Sequence, residues 1–355
     1  MNVGLFINII YGIVFFFTAF AVTYLVCPVA RNLSFALRAL DFPDGRGKRY
    51  LRPIPRLGGI ALLVGFLVPC LGGGYIKENV FVSMLFGGAV IVLLGLFDDI
   101  RGISPSTRLL VQIIASLSAM THGVMLESVS FFGTKIELGI LSPVLTVILI
   151  VLITNSFNFG GRSLGEGAIS SLFLAAISAV LGDLTLVGIP LSLAGACFGL
   201  LPRNFKRKRL SLGNLGGQLI GFVISILIIG ILSAENNEVG IGSLLFVVAY
   251  PLFETFLGIV RRIKKGKNRP SLKEGQIPCC TACGGIKKRG SLVHRLILGS
   301  VLGMSGVCLA LGSFSSFVVI MSIGFCIFLC GSYVIFPQSI ELSPKKESNR
   351  LSNVR

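Results

Sequence analysis

Runs of about twenty apolar residues recur along this chain and leave few architectures open. The first reads LFINIIYGIVFFFTAFAVTYLV and a later one GNLGGQLIGFVISILIIGIL. An α-helix needs roughly 20 residues to cross the hydrocarbon core of a bilayer. Only 13% of the residues are charged, about half the share usual in a soluble domain. The runs are continuous rather than alternating, which argues against a transmembrane barrel. The sequence therefore predicts an all-α, polytopic membrane protein. No basic segment precedes the first run and no small-residue cleavage site follows it, so it is expected to be a retained span rather than a signal peptide.

About eleven spans are predicted, near residues 5–27, 57–75, 79–97, 108–121, 140–155, 166–182, 184–201, 215–233, 241–260, 293–311 and 314–336. The N-terminus is placed outside and the C-terminus in the cytoplasm. The inner segments 28–56, 98–108, 156–165, 202–214, 261–295 and 337–355 then hold 30 of the 32 Lys and Arg residues. Only Lys77 and Lys135 fall outside, as the positive-inside rule requires. The net charge of +17 is thus mainly a topology signal. Its division among several loops argues against a nucleic-acid partner. Anionic lipid headgroups and a phosphorylated substrate are the expected counter-charges.

One membrane domain, 1–336, and a cytoplasmic, disordered tail, 337–355, are predicted. A small hairpin is expected in the outer loop 122–140, where VMLESVSFFGTKIEL alternates. No internal repeat is visible, which weakens a transporter reading built on inverted repeats. Six of the nine cysteines lie in or beside apolar runs, where cysteine acts as a small hydrophobe. Cys279, Cys280 and Cys283 form CCTAC on the inner side. Zinc would need a fourth ligand, with His294 as a distant candidate; the alternative is a turn in a long loop.

The inner loops are longer, basic and rich in Gly and Pro, so chemistry is expected on the cytoplasmic face. In DFPDGRGKRYLRPIPRLGG, the residues Arg46, Lys48, Arg49, Arg52 and Arg56 are either an ordinary membrane anchor or holders of phosphate oxygens. In GLFDDIRGISPSTRLLVQ, Asp98 and Asp99 end the third span. Acids at a membrane boundary must be hydrated, paired or metal-bound. These two are candidates for Mg²⁺ binding or proton acceptance, or they simply complement Arg101 and Arg108.

Five segments, in order, resemble the motifs of the polyprenyl-phosphate N-acetylhexosamine-1-phosphate transferases, glycosyltransferase family 4. They are the two loops above, NSFNFGGRSLGEG, LPRNFKRKRLSLGNLGGQLIGF and YPLFETFLGIVRRIKKGK with SLVHRL. Asp98, Asp99, Ile103, Arg108 and Gln112 fall in register with the family's double-aspartate element. The resemblance implies a fold and a reaction. A sugar 1-phosphate passes from a UDP-N-acetylhexosamine to undecaprenyl phosphate, with Mg²⁺, at the cytoplasmic face of a bacterial inner membrane, starting lipid-linked cell-envelope glycans. It implies catalytic roles for Asp98, Asp99 and His294. Substrate contacts are implied at Arg46, Lys48, Arg56, Arg108, Asn155, Asn158 and Arg295, and metal contacts at Asp99 and position 214.

The motifs also depart from the family. Its two aspartates after the asparagine pair are replaced by Gly161 and Leu164. Glu166 lies two residues beyond, about 200° around a helix, so it does not substitute without a local shift. The family's metal-binding aspartate is Asn214, a weaker Mg²⁺ ligand. Two histidines of the last motif are Ser291 and Val293, leaving His294 and Arg295, and the D-T pair is Glu254–Thr255. Two readings stay open. One is a divergent transferase using Asp98, Asp99, Asn214, Glu166 and His294. The other is a non-catalytic paralogue that binds polyprenyl phosphate or pairs, as a homodimer or heterodimer, with an active transferase.

Overall fold

The computed structural model describes residues 3–42, 53–131, 134–158, 163–181, 184–205, 210–233, 240–264 and 299–307. Among these the architecture is all-α apart from two short hairpins, and the described residues belong to one compact unit. The helices are α1 (Val3–Ala36), α2 (Gly58–Gly72), α3 (Asn79–Ile100), α4 (Pro105–Met120), α5 (Ser142–Asn158), α6 (Ser163–Leu181), α7 (Leu184–Phe205), α8 (Gly213–Leu232) and α9 (Ile241–Lys264). Residues 299–307 are also helical.

Each of the first nine apolar runs is a helix. Four segments are long and apolar enough to cross a membrane: Ile10–Ala36, Asn79–Ile100, Gly139–Asn158 and Gly213–Leu232. Gly58–Gly72, Leu164–Ala179 and Ile241–Phe256 are apolar but shorter. The structure thus supports a multi-pass membrane protein with four full-length spans among the described residues, rather than the eleven expected. One physical feature explains part of the difference: the second helix stops after 15 residues at a run of glycines. The eleventh expected span and the tail 337–355 lie outside the described residues, as does most of the tenth.

The hairpin expected in 122–140 is present as β3 (Ser128–Phe131) paired antiparallel with β4 (Thr134–Glu137). A second, β1 (Leu40–Asp41) with β2 (Ile54–Pro55), closes the base of the first basic loop. It follows directly from how α1 ends. Arg38 takes the left-handed conformation, φ 55°, and Ala39 and Arg38 donate back to Ser34 and Phe35. This is a helix-ending motif that usually employs glycine.

The eighth helix is the axis of the bundle. Every residue from Leu215 to Ile231 is buried. Apolar attraction does not hold helices together in lipid, so close approach and dispersion must. Small residues supply that approach on several sides of α8. A Cβ on Gly221 would lie 2.7 Å from the Thr154 Cα of α5, and one on Gly217 would lie 3.2 Å from Asn158 Oδ1. On α3, a Cβ on Gly95 would strike the Leu215 backbone, and on α2 one on Gly59 would strike Gly216.

Such contacts also fix directions. Residues 95 and 87 of α3 meet residues 215 and 222, and residues 158 and 154 of α5 meet residues 217 and 221. Both helices therefore run antiparallel to α8. The ends of α3 and α5 and the starts of α2 and α8 share one face.

Prolines inside helices release carbonyls that need partners in a membrane. Pro251 leaves the carbonyl of Val247 free, and Ser170 Oγ of α6 donates to it at 3.1 Å. Overfilling a glycine contact should cost about 1–3 kcal/mol. Gly221→Val is expected to lower the unfolding midpoint of the detergent-solubilised protein by several degrees. Gly72→Ala, where an added Cβ meets nothing within 4 Å, should leave it unchanged.

Candidate functional site

The α3–α4 turn is built from local rules. Gly102, at φ 74°, ends α3, and its N–H returns to the Asp98 carbonyl at 3.1 Å. Ser104 caps α4 by accepting from Thr107 N at 3.2 Å, and Pro105 follows as its first residue. This tight turn holds Asp98 and Asp99 on the last turn of α3, both 4% exposed.

Each acid has its own partners. Asp98 Oδ1 accepts from Ile103 N at 3.0 Å. Its Oδ2 lies 2.8 Å from Arg108 Nη2, too far off the N–H direction to count as an aligned hydrogen bond. Asp99 reaches across 115 residues to the start of α8, where Oδ1 accepts from Asn214 N at 2.8 Å and Oδ2 from Leu215 N at 3.0 Å. Arg56 Nε stands 3.7 Å from Oδ1. Asp99 is therefore a capping carboxylate supplied by another helix. It satisfies two of the four amides that a helix start leaves free, and it sits at the positive end of the helix dipole.

Gly213 makes this possible. It has φ 72°, and a Cβ there would collide with the Arg56 carbonyl and the Asp99 carboxylate. Arg56 is set by a short ladder. Its N–H donates to Ala39 O at 3.0 Å, Ser211 N donates to Pro55 O at 2.7 Å, and Gly58 N donates to Ser211 O at 2.9 Å. The base of the first basic loop is thus fastened to the entrance of α8.

Further into the bundle, Asn155 and Gln112 form a reciprocal amide pair. Asn155 Nδ2 donates to Gln112 Oε1 at 2.8 Å and to Val151 O at 2.9 Å, while Gln112 Nε2 donates to Asn155 Oδ1 at 3.3 Å. Asn155 thereby spends its amide on helix contacts. Asn158 lies against Gly217. Leu164, which the resemblance sets at the place of a family aspartate, is 4% exposed and belongs to the apolar core. Glu166 lines a small cleft with Ser170, Tyr250 and Pro251, and Tyr250 Oη donates to Glu254 at 2.9 Å.

Of the residues singled out from the sequence, the structure brings Asp98, Asp99, Arg56, Arg108 and Asn214 together. Asn155 and Asn158 sit on the adjoining α5–α8 seam. Arg46, Lys48, Gly161, His294, Arg295, Cys279, Cys280 and Cys283 lie outside the described residues. Sequence reasoning missed the bond from Asp99 to α8 and passed over Gln218. The one signal for the first was a glycine opening an apolar run, which marks a helix start in need of a cap.

The described residues do not by themselves make a ligand set for the Mg²⁺ that the resemblance implies. Each Asp99 oxygen accepts one amide of α8, and Asn214 offers only a neutral oxygen. Among the described residues no three Asp, Glu, His or Cys side chains converge on a point. Asp99→Ala should destabilise by about 1–2 kcal/mol, as loss of a helix cap does. Asp99→Asn, which keeps one accepting oxygen, should lose less. Thermal unfolding of the two variants in the same detergent checks the order.

The family model for glycosyl transferase family 4 matches residues 81–232, the stretch that holds the acid pair, the α5 asparagines and α8. The chain is 32% identical over 286 residues to a decaprenyl-phosphate N-acetylglucosaminephosphotransferase of Mycobacterium tuberculosis, covering 71% of this chain and 70% of that one. It is 25% identical over 303 residues to a probable undecaprenyl-phosphate N-acetylglucosaminyl 1-phosphate transferase of Bacillus subtilis, covering 84% of each. It is also 25% identical over 290 residues to an undecaprenyl-phosphate alpha-N-acetylglucosaminyl 1-phosphate transferase of Salmonella typhi. Five ordered motifs, a buried acid pair at the mouth of a glycine-lined central helix and these similarities lead to one statement: the chain belongs to glycosyl transferase family 4.

Proposed function

We propose that this chain is a non-catalytic member of the family, which keeps the scaffold and the polyprenyl-phosphate site without metal-dependent sugar-1-phosphate transfer. The observation that carries the reading is the use of the acid pair. Asp99 is consumed as the cap of α8, and Asp98 holds the α3–α4 turn and Arg108. Phosphoryl transfer between two anions needs cations aimed at the developing charge. Here the acids that would hold such a cation are committed to the fold. Leu164 in the core and the neutral Asn214 support the same reading.

In this proposal the chain lies in a bacterial inner membrane, with the N-terminus outside and the basic loops in the cytoplasm. Arg46, Lys48, Asn158 and Arg295 meet the lipid phosphate, beside Arg56 and Arg108, which pair with Asp99 and Asp98. The protein then presents polyprenyl phosphate to, or pairs with, an active transferase. A second reading is favoured by the cleft beside Glu166 and Tyr250: a rebuilt transferase in which Glu166 and His294 join Asp98 and Asp99.

Purified protein would be incubated with undecaprenyl phosphate, radiolabelled UDP-N-acetylglucosamine and Mg²⁺, beside an intact homologue. The expected result is no labelled lipid, together with a rise in unfolding midpoint on adding undecaprenyl phosphate alone. Labelled lipid that disappears in Asp99→Asn would establish the rebuilt transferase instead.

A further inference from the structure

The amide network at the α4–α5–α8 junction has a direction. It starts at the Val151 carbonyl, which can only accept, so the Asn155 amide must present Nδ2 to it. That choice turns Asn155 Oδ1 toward Gln112 Nε2 and Gln112 Oε1 toward Asn155 Nδ2. Gln112 Nε2 then also donates to Gln218 Oε1 at 3.5 Å. Each amide fixes the next, and the series ends on Gln218 Nε2.

That last donor is left over. Gln218 is fully buried, and Nε2 meets no acceptor among the described residues. The Thr154 hydroxyl is likewise fully buried and without a partner there. The two belong to one seam, because Thr154 lies against Gly221, one turn along α8 from Gln218. A buried donor without an acceptor is costly, and native proteins meet such groups with bound water or a ligand. Two orphan polar groups on one seam are the number of partners that a buried water needs at the least.

We propose that Gln218 Nε2 and Thr154 Oγ1 form a binding site for a neutral oxygen acceptor, about 7.5 Å along α8 from its capped start. Neutrality follows from the surroundings. Gln112, Ser116, Thr154, Asn155 and Gln218 are uncharged and buried or nearly so. The described arginines Arg56 and Arg108 serve Asp99 and Asp98. An anion here would be buried without a counter-charge. The acceptor is a resident water or a hydroxyl or carbonyl oxygen of a small molecule entering from the inner face. The site stands whether or not the chain catalyses transfer.

High-resolution electron cryomicroscopy of the nanodisc-embedded protein tests it, with and without added UDP-N-acetylglucosamine. Density within hydrogen-bonding distance of Gln218 Nε2 is expected. If it is present without the nucleotide sugar, the occupant is water; if only with it, the occupant is the ligand. Gln218→Met, nearly isosteric but without a donor, should remove that density and lower the unfolding midpoint by about 2–4 °C. No density in either map, or density that persists in Gln218→Met, overturns the proposal. A map of the wild-type protein alone suffices if the variant fails to fold.

Discussion

The carboxylate of Asp99 joins three parts of the chain at one point. It belongs to α3, accepts from the first amides of α8 and faces Arg56 from the β2–α2 connection. The first amides of a helix need acceptors, and at this partly exposed start two of them are capped from within the protein. A buried carboxylate has the converse need, for donors and opposite charge. Each solves the other's problem. The meeting lies at the start of α8, beside the contacts of Gly59 and Gly95 with Leu215 and Gly216.

The same bond makes physical sense of the residue beside it. A second carboxylate at position 214 would bring like charge to the helix end that Asp99 already occupies. Holding both would require a cation between them. With asparagine there, two amides, one guanidinium and the helix dipole match a single negative charge. The neutral residues that the resemblance sets at family aspartates, Leu164 and Asn214, are consistent with this arrangement. Leu164 is the clearer of the two, since its side chain belongs to the apolar core.

Much of the fold could be read from the sequence because lipid leaves little choice. Long apolar runs become helices, glycine and serine–proline punctuate the α3–α4 turn, and alternation marks the β3–β4 hairpin. Helix lengths were less legible. The second helix stops at its glycines, short of the span expected to reach residue 75. The site was legible as a set of motifs but not as a geometry. Asp98 and Asp99 looked like metal ligands or partners of arginine; sequence spacing cannot show that Asp99 meets an amide 115 residues away. Gln218 was invisible for a similar reason. A lone glutamine in an apolar run gains meaning only beside Gln112, which comes from a different helix.

The central claim is that Asp99 is bonded to α8 rather than to a metal. Hydrogen exchange at the amides of Asn214 and Leu215, followed by mass spectrometry on the nanodisc-embedded protein, tests it most directly. The account predicts slow exchange at both amides in the wild-type protein, unchanged by millimolar Mg²⁺, and fast exchange confined to this helix start in Asp99→Ala. Fast exchange in the wild type, or protection that Mg²⁺ abolishes by drawing the carboxylate away, would contradict it.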